Sequence, residues 1–89
     1  ARYTLEFDAA GMVGMQADCN RLRGGYTYTA PSGLEFGALM STRAACPPGS
    51  LYNRVVKDMP FVRSFVIKDG RLHLALMADG GIYNYSPMP

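Results

Sequence analysis

The residues able to do chemistry are few. Cys19 and Cys46 are the whole thiol complement of the 89-residue chain. An even count in a small, loop-rich chain leaves two readings: one disulfide, or two buried thiols packing as small hydrophobes. Two cysteines and the lone His73 cannot close a tetrahedral zinc site, and without a C-x-x-C pair thiol redox catalysis has no basis. His73 stands between Leu72 and Leu74 in an alternating stretch, so it is expected on the wetter side of a sheet. No serine or cysteine lies beside it to suggest a triad. Glu6, Asp8, Asp18, Glu35, Asp58, Asp69 and Asp79 fall on strand exteriors or in turns, where they serve solubility and turn chemistry. The expectation is a non-enzymatic protein with no cofactor and no metal.

Asn20, Thr42 and Arg43 adjoin the two cysteines in sequence, and a Cys19–Cys46 bridge would bring them together. They form either a recognition patch, with Arg43 presenting its planar fork to a carboxylate or phosphate, or a set that hydrogen-bonds the carbonyls of irregular loops. The second reading is preferred. Six tyrosines and six methionines could make an adaptable binding surface. Tyr26, Tyr28, Tyr83 and Tyr85 alternate as strand residues do, however, which favours packing in a barrel wall. Nine basic and seven acidic residues give a net charge of +2, and the arginines are scattered beyond the Arg21–Arg23 pair. That is no basic stripe, so no nucleic-acid partner is expected.

Positioning these side chains falls to short strands. Tyr3, Leu5 and Phe7 alternate with Arg2, Thr4, Glu6 and Asp8, the pattern of a half-buried antiparallel strand. A turn at Ala9-Ala10-Gly11 returns the chain as Met12 to Cys19, with Val13, Met15, Ala17 and Cys19 on one face. Gly14 there reads as a bulge or a close backbone approach. Gly24-Gly25 reads as a break before the strand Tyr26–Thr29, and Pro31-Ser32-Gly33 as a turn into Leu34-Glu35-Phe36. Pro47-Pro48-Gly49-Ser50 stops the sheet. Ser50 is then a candidate N-cap for one short helix bearing Leu51, Val55 and Met59 on a stripe and ending before Pro60. So short a helix must pack on the sheet as a lid or plug. Phe61 to Ile67 and Arg71 to Leu76 flank Asp69-Gly70, a strong hairpin signal. Asp79-Gly80-Gly81 then turns the chain into Ile82–Tyr85, and Pro87 and Pro89 end it. The fold class is mainly β, a small antiparallel meander barrel or curled sheet of about seven strands with one short helix. Residues 1–89 suffice for a single domain. Apolar runs of a few residues cannot span a bilayer, and the chain opens on strand-like sequence with no signal peptide or lipidation motif.

Several segments together resemble the META/HslJ family: Tyr3 to Asp8 followed by a glycine turn, Cys19-Asn20-Arg21, Gly25-Tyr26, Leu34 to Gly37, and Ser41 to Pro47. The Asp69–Leu74 hairpin and Gly81-Ile82-Tyr83 fit the family's closing strands. The most specific parts are C-N and T-R-x-x-C, in that order and spacing. Three departures stand out. The family's opening W-x-L strand is absent, Asp18 replaces the glycine usual before the first cysteine, and the acid often found early in the helix gives way to Ser50–Asn53.

The resemblance implies a β-barrel-like domain with one helix, found in bacterial envelope lipoproteins and secreted proteins and linked to stress responses. The implied location is periplasmic, outer-membrane-anchored or secreted, where the two cysteines read as one disulfide. The implied role is non-enzymatic, through structure or through a protein partner in the envelope. Two other roles follow as expectations: a periplasmic inhibitor of a cell-wall hydrolase, and a carrier of a small apolar ligand. A missing first strand also leaves room for a homodimer that completes the sheet.

Overall fold

A computed structural model describes residues 2–77 and 80–87 of the chain. Alternation governs the first hairpin: β1 (Tyr3–Phe7) and β2 (Met12–Ala17) pair antiparallel with Leu5 opposite Met15. Tyr3, Leu5 and Phe7 thereby share a face with Ala17, Met15 and Val13, the last three buried. Asp8 holds the turn by accepting hydrogen bonds from the Ala10 and Met12 amides, both at 2.9 Å.

β3 (Asn20–Thr29) is one continuous strand, against the expected break at Gly24-Gly25. It pairs with β2 over Asn20–Gly25 and with β4 (Gly33–Phe36) over Tyr26–Thr29. Gly24 serves a different purpose. A Cβ there would stand 2.5 Å from the Ala38 carbonyl oxygen, so its bare backbone lets the following loop pass across the strand. Gly14 is neither a bulge nor a close approach, since the ladder runs through it unbroken and a Cβ would meet nothing within 4 Å. Nor does Cys19 extend the inner face of β2. That strand stops at Ala17, and Asp18, at φ 57°, turns the chain so that Cys19 is exposed and Asn20 points inward.

Two residues, Met40 and Ser41, form β5 against Leu22 and Arg23 of β3. α1 (Tyr52–Asp58) runs into a 3-10 turn at Met59–Phe61. Leu51, not Ser50, is its N-cap, and Ser50 Oγ instead accepts a hydrogen bond from the Tyr52 amide at 3.2 Å. Val55 and Met59 are buried as the stripe requires, whereas Leu51 lies outside the core. β6 (Val62–Lys68) carries a bulge between Val62 and Ser64 and turns through Asp69-Gly70 into β7 (Arg71–Leu76). Asp69 and Gly70 both have positive φ, as a two-residue hairpin turn demands. β8 (Ile82–Tyr85) follows; Asp79 of the expected turn and the terminal Pro89 lie outside the described residues.

Eight strands result among the described residues, one more than expected, because β5 is too short to show alternation. Seven form the antiparallel meander β1-β2-β3-β4-β6-β7-β8, and β5 joins β3 at the side. The sheet curls into a nearly closed barrel, with Val13, Met15, Leu22, Leu34 and Leu74 inside and Val55, Met59 and Val62 filling the centre. The short helix is indeed a plug. Tyr83 of β8 fastens its end, donating a hydrogen bond to Asp58 Oδ2 at 2.8 Å. Burial first, and then the Asp58 carboxylate, push the Tyr83 phenol well above its ordinary range.

Candidate functional site

Cys19 and Cys46 form a disulfide, with Cα atoms 5.5 Å apart. Closing a 27-residue separation contributes about 3.5 kcal/mol on the chain-entropy account. The bridge ties the β2–β3 turn to the loop between β5 and α1.

Asn20, beside it, is fully buried at an inward position where β3 otherwise places Leu22 and Gly24. Its Nδ2 donates to the Ala44 carbonyl at 2.9 Å and lies 3.4 Å from Cys46 Sγ. Its Oδ1 accepts from the Ala44 amide at 2.7 Å and from the Thr42 hydroxyl at 2.9 Å. Thr42 Oγ1 in turn accepts from the Arg21 amide at 2.9 Å. One buried amide side chain thus replaces the ladder that the irregular loop lacks. Burial would be costly were any of these groups unpartnered, and every buried side-chain nitrogen and oxygen among the described residues has a partner.

Asp18 completes the corner. Its positive φ explains why glycine suits this position, and aspartate is among the residues that tolerate it. Arg2 donates to both its oxygens, Nε at 3.1 Å and Nη2 at 2.9 Å. Those bonds, with help from the Ser50 hydroxyl, hold the Asp18 carboxyl below the usual carboxylate range.

The stapled loop and α1 enclose an open cleft of about 1120 Å³, lined by Leu22, Phe36, Leu39, Arg43, Tyr52 and Val56 among others. Tyr52 braces it: its hydroxyl lies 2.7 Å from Ser41 Oγ and donates to the Thr42 carbonyl at 3.0 Å. Of the three polar residues singled out from sequence, Asn20 and Thr42 are consumed in this bracing. Arg43 is not. It is exposed on the cleft wall, and among the described residues its guanidinium makes no hydrogen bond or ion pair. Sequence reasoning missed Ser41 and Tyr52. The available signal was the inward parity of Asn20 with Leu22, which appears only once β3 is read through Gly24.

His73 is half-buried and hydrogen-bonds through Nδ1 to Asn84 Oδ1, its cross-strand neighbour on β8. No group of three or more metal-ligating side chains occurs among the described residues. Tyr26 packs edge-on against Phe7, ring centroids 4.9 Å apart, and donates from its hydroxyl to the Asp8 carbonyl at 2.8 Å. Among the described residues no helix is long and apolar enough to cross a membrane.

The fold and the site define a small, disulfide-stapled, antiparallel barrel-like domain plugged by a helix. The META domain family matches residues 1–86, and the chain belongs to that family. META domains are of envelope type, and the bridge fits an oxidising compartment. A solved structure described as the NMR structure of the protein from Burkholderia xenovorans is similar at 23% sequence identity and TM-score 0.75, over 94% of this chain. That likeness shows a shared fold. This chain spans 62% of that protein's length. No curated protein matches the chain.

Proposed function

We propose that the protein is a non-enzymatic binding domain of the bacterial envelope, periplasmic, outer-membrane-anchored or secreted, that engages a protein partner through the cleft beside α1. The observation that carries this reading is the division of labour in the stapled loop. Asn20, Thr42, Tyr52 and the bridge fix the backbone, and Arg43 is left uncommitted on a mixed apolar wall. A pre-organised surface loses little entropy on binding, and an unpaired guanidinium adds a planar fork for a carboxylate.

A photo-crosslinker at Val56, read in intact envelopes, tests it. One discrete adduct lost on Arg43→Ala supports the reading, and no adduct at Val56 refutes it. The inhibitor of a cell-wall hydrolase keeps one favourable observation, since such enzymes work through paired carboxylates that an exposed arginine on a rigid loop could occupy. Inhibition of a purified lysozyme, relieved by Arg43→Ala, would establish that version. An internal carrier is less well supported, because Met59, Leu74, Val13 and Val62 fill the centre of the barrel.

A further inference from the structure

The two sulfurs of the Cys19–Cys46 bridge have opposite surroundings. Asn20 Nδ2 carries two hydrogens, and both are used: one goes to the Ala44 carbonyl at 2.9 Å, the other to Cys46 Sγ at 3.4 Å. Cys19 Sγ instead meets the Ala44 carbonyl oxygen at 3.7 Å. A disulfide sulfur has no proton to offer that oxygen, so the contact sets a partial negative charge against it. Access differs in the same sense. Cys19 is exposed in the β2–β3 turn, whereas Cys46 is half-buried on the cleft wall.

These differences act when the bridge exchanges. A thiolate opens a disulfide by attacking one sulfur while the other departs with the electron pair. The rate depends on access to the first and on how well the second carries negative charge. Attack at Cys19 puts the departing charge on Cys46, where an N–H already points at it. Attack at Cys46 would come from the cleft wall and leave the charge on Cys19, facing a carbonyl oxygen. A hydrogen bond to neutral sulfur is weak, and it strengthens as the acceptor becomes an anion. The donor is fixed before exchange begins. Asn20 is fully buried, and its Oδ1 accepts from the Ala44 amide and the Thr42 hydroxyl, so the side-chain amide cannot turn without losing those bonds.

We infer that the bridge is a directional thiol-exchange site, whose substrate class is a thiol. An incoming thiolate bonds to Cys19 Sγ, the Cys19–Cys46 bond breaks, and Cys46 leaves as a thiolate hydrogen-bonded to Asn20 Nδ2. A second thiolate then removes the first from Cys19 as a new disulfide. Two electrons have then passed from the two thiols to the bridge, and both cysteines take up protons as thiols. Run backward, the same path makes Cys46 the sulfur that closes the bridge on a mixed disulfide at Cys19. This exchange stands whether or not the cleft binds a partner.

The test exposes the oxidised chain to glutathione, stops the reaction early with acid and N-ethylmaleimide, and locates both adducts by peptide mass spectrometry. Chains with glutathione on Cys19 and maleimide on Cys46 should outnumber the reverse by roughly tenfold, the scale of one hydrogen bond to a charged atom. In urea that unfolds the chain, the split should fall toward even. Asn20→Ala should narrow the split in the folded chain, and the wild-type comparison with urea decides alone where that variant does not fold. An even or reversed split in the folded chain, or one that urea leaves unchanged, would overturn the proposal. So would a folded bridge that glutathione does not open, or a folded Asn20→Ala chain that keeps the full split.

Discussion

The corner at Cys19–Cys46 and the opening between β1 and β8 lie in one curled sheet and are finished to opposite standards. At the corner an irregular loop, which should be the weak part of a small domain, is bridged, clamped by a buried asparagine and braced by a tyrosine hydroxyl. At the opening two regular strands each keep one edge unpaired among the described residues, and core-type side chains meet water. Regularity and completeness are therefore separate properties. Backbone groups of a loop can be wholly satisfied by one side chain, while a strand with good alternation still needs a neighbour.

Removing the staple should have the largest effect. Cys19→Ser with Cys46→Ser is expected to destabilise by about 3.5 kcal/mol in urea melts. A loss under about 1 kcal/mol would mean that Asn20 alone holds the loop. Asn20→Ala should cost about 3 kcal/mol, because it strands the Ala44 amide and carbonyl together with the Thr42 hydroxyl. The two changes act on one loop, so the triple variant should lose less than their sum, and strict additivity would show that bridge and amide work independently. Next comes Gly24→Ala, whose Cβ would press to 2.5 Å of the Ala38 oxygen and 2.8 Å of Leu39 Cδ2. About 1–3 kcal/mol should be lost, and a stabilised variant would mean the loop does not cross there in solution.

These magnitudes also bear on what could be read in advance. The β1, β2, β7 and β8 strands, the Asp69-Gly70 turn and the Val55–Met59 stripe were legible because alternation, turn chemistry and helical spacing are local signals. Gly24 misled for a physical reason. A glycine that breaks a strand and one that admits a crossing chain look alike until residues 37–39 are placed over it. That reading hid the inward parity of Asn20 and so the network that holds the candidate site. Arg43 and the cysteines were visible as residue types, and their separation into an uncommitted guanidinium and a staple required the tertiary contacts. β5 was not legible at all, since its pairing follows from strand order, and the opening was legible only through the resemblance, as the place of the absent first strand.

Acid should act on the corner before the rest of the sheet. Arg2 holds the Asp18 carboxyl lower in the folded chain than in the unfolded one. The stability this contributes is present above the unfolded carboxylate range, near 3.9, and is lost as pH falls through the folded value. Arg2→Ala should lower stability slightly at neutral pH and flatten the acid limb of the stability profile below about pH 4, the two profiles meeting at the acid extreme. An unchanged limb would show that the pair is open in solution. At the alkaline end the sign reverses. Burial and Asp58 raise the Tyr83 phenol, so its contribution is whole below about 10, the unfolded value, and fades as pH climbs through the folded one. Absorbance at alkaline pH should find Tyr83 among the last phenols to ionise, and Asp58→Asn should bring its titration down.

The smallest expected effect tests the opening most sharply. Ile67 shares its inner face and its ladder with Phe65 and Leu72, so in a closed barrel Ile67→Thr would bury an unpartnered hydroxyl and cost roughly 1–3 kcal/mol. Here the side chain is 69% exposed. A hydroxyl in contact with water needs no partner from the protein, and little apolar area is lost with it. The change in unfolding free energy should therefore stay within about 0.5 kcal/mol, the usual range for surface substitutions. A loss above about 1.5 kcal/mol would mean that the edges close on each other in solution and that the comparison between corner and opening is wrong. A near-zero value would confirm that the inner face at Ile67 stays open to water between the two edge strands.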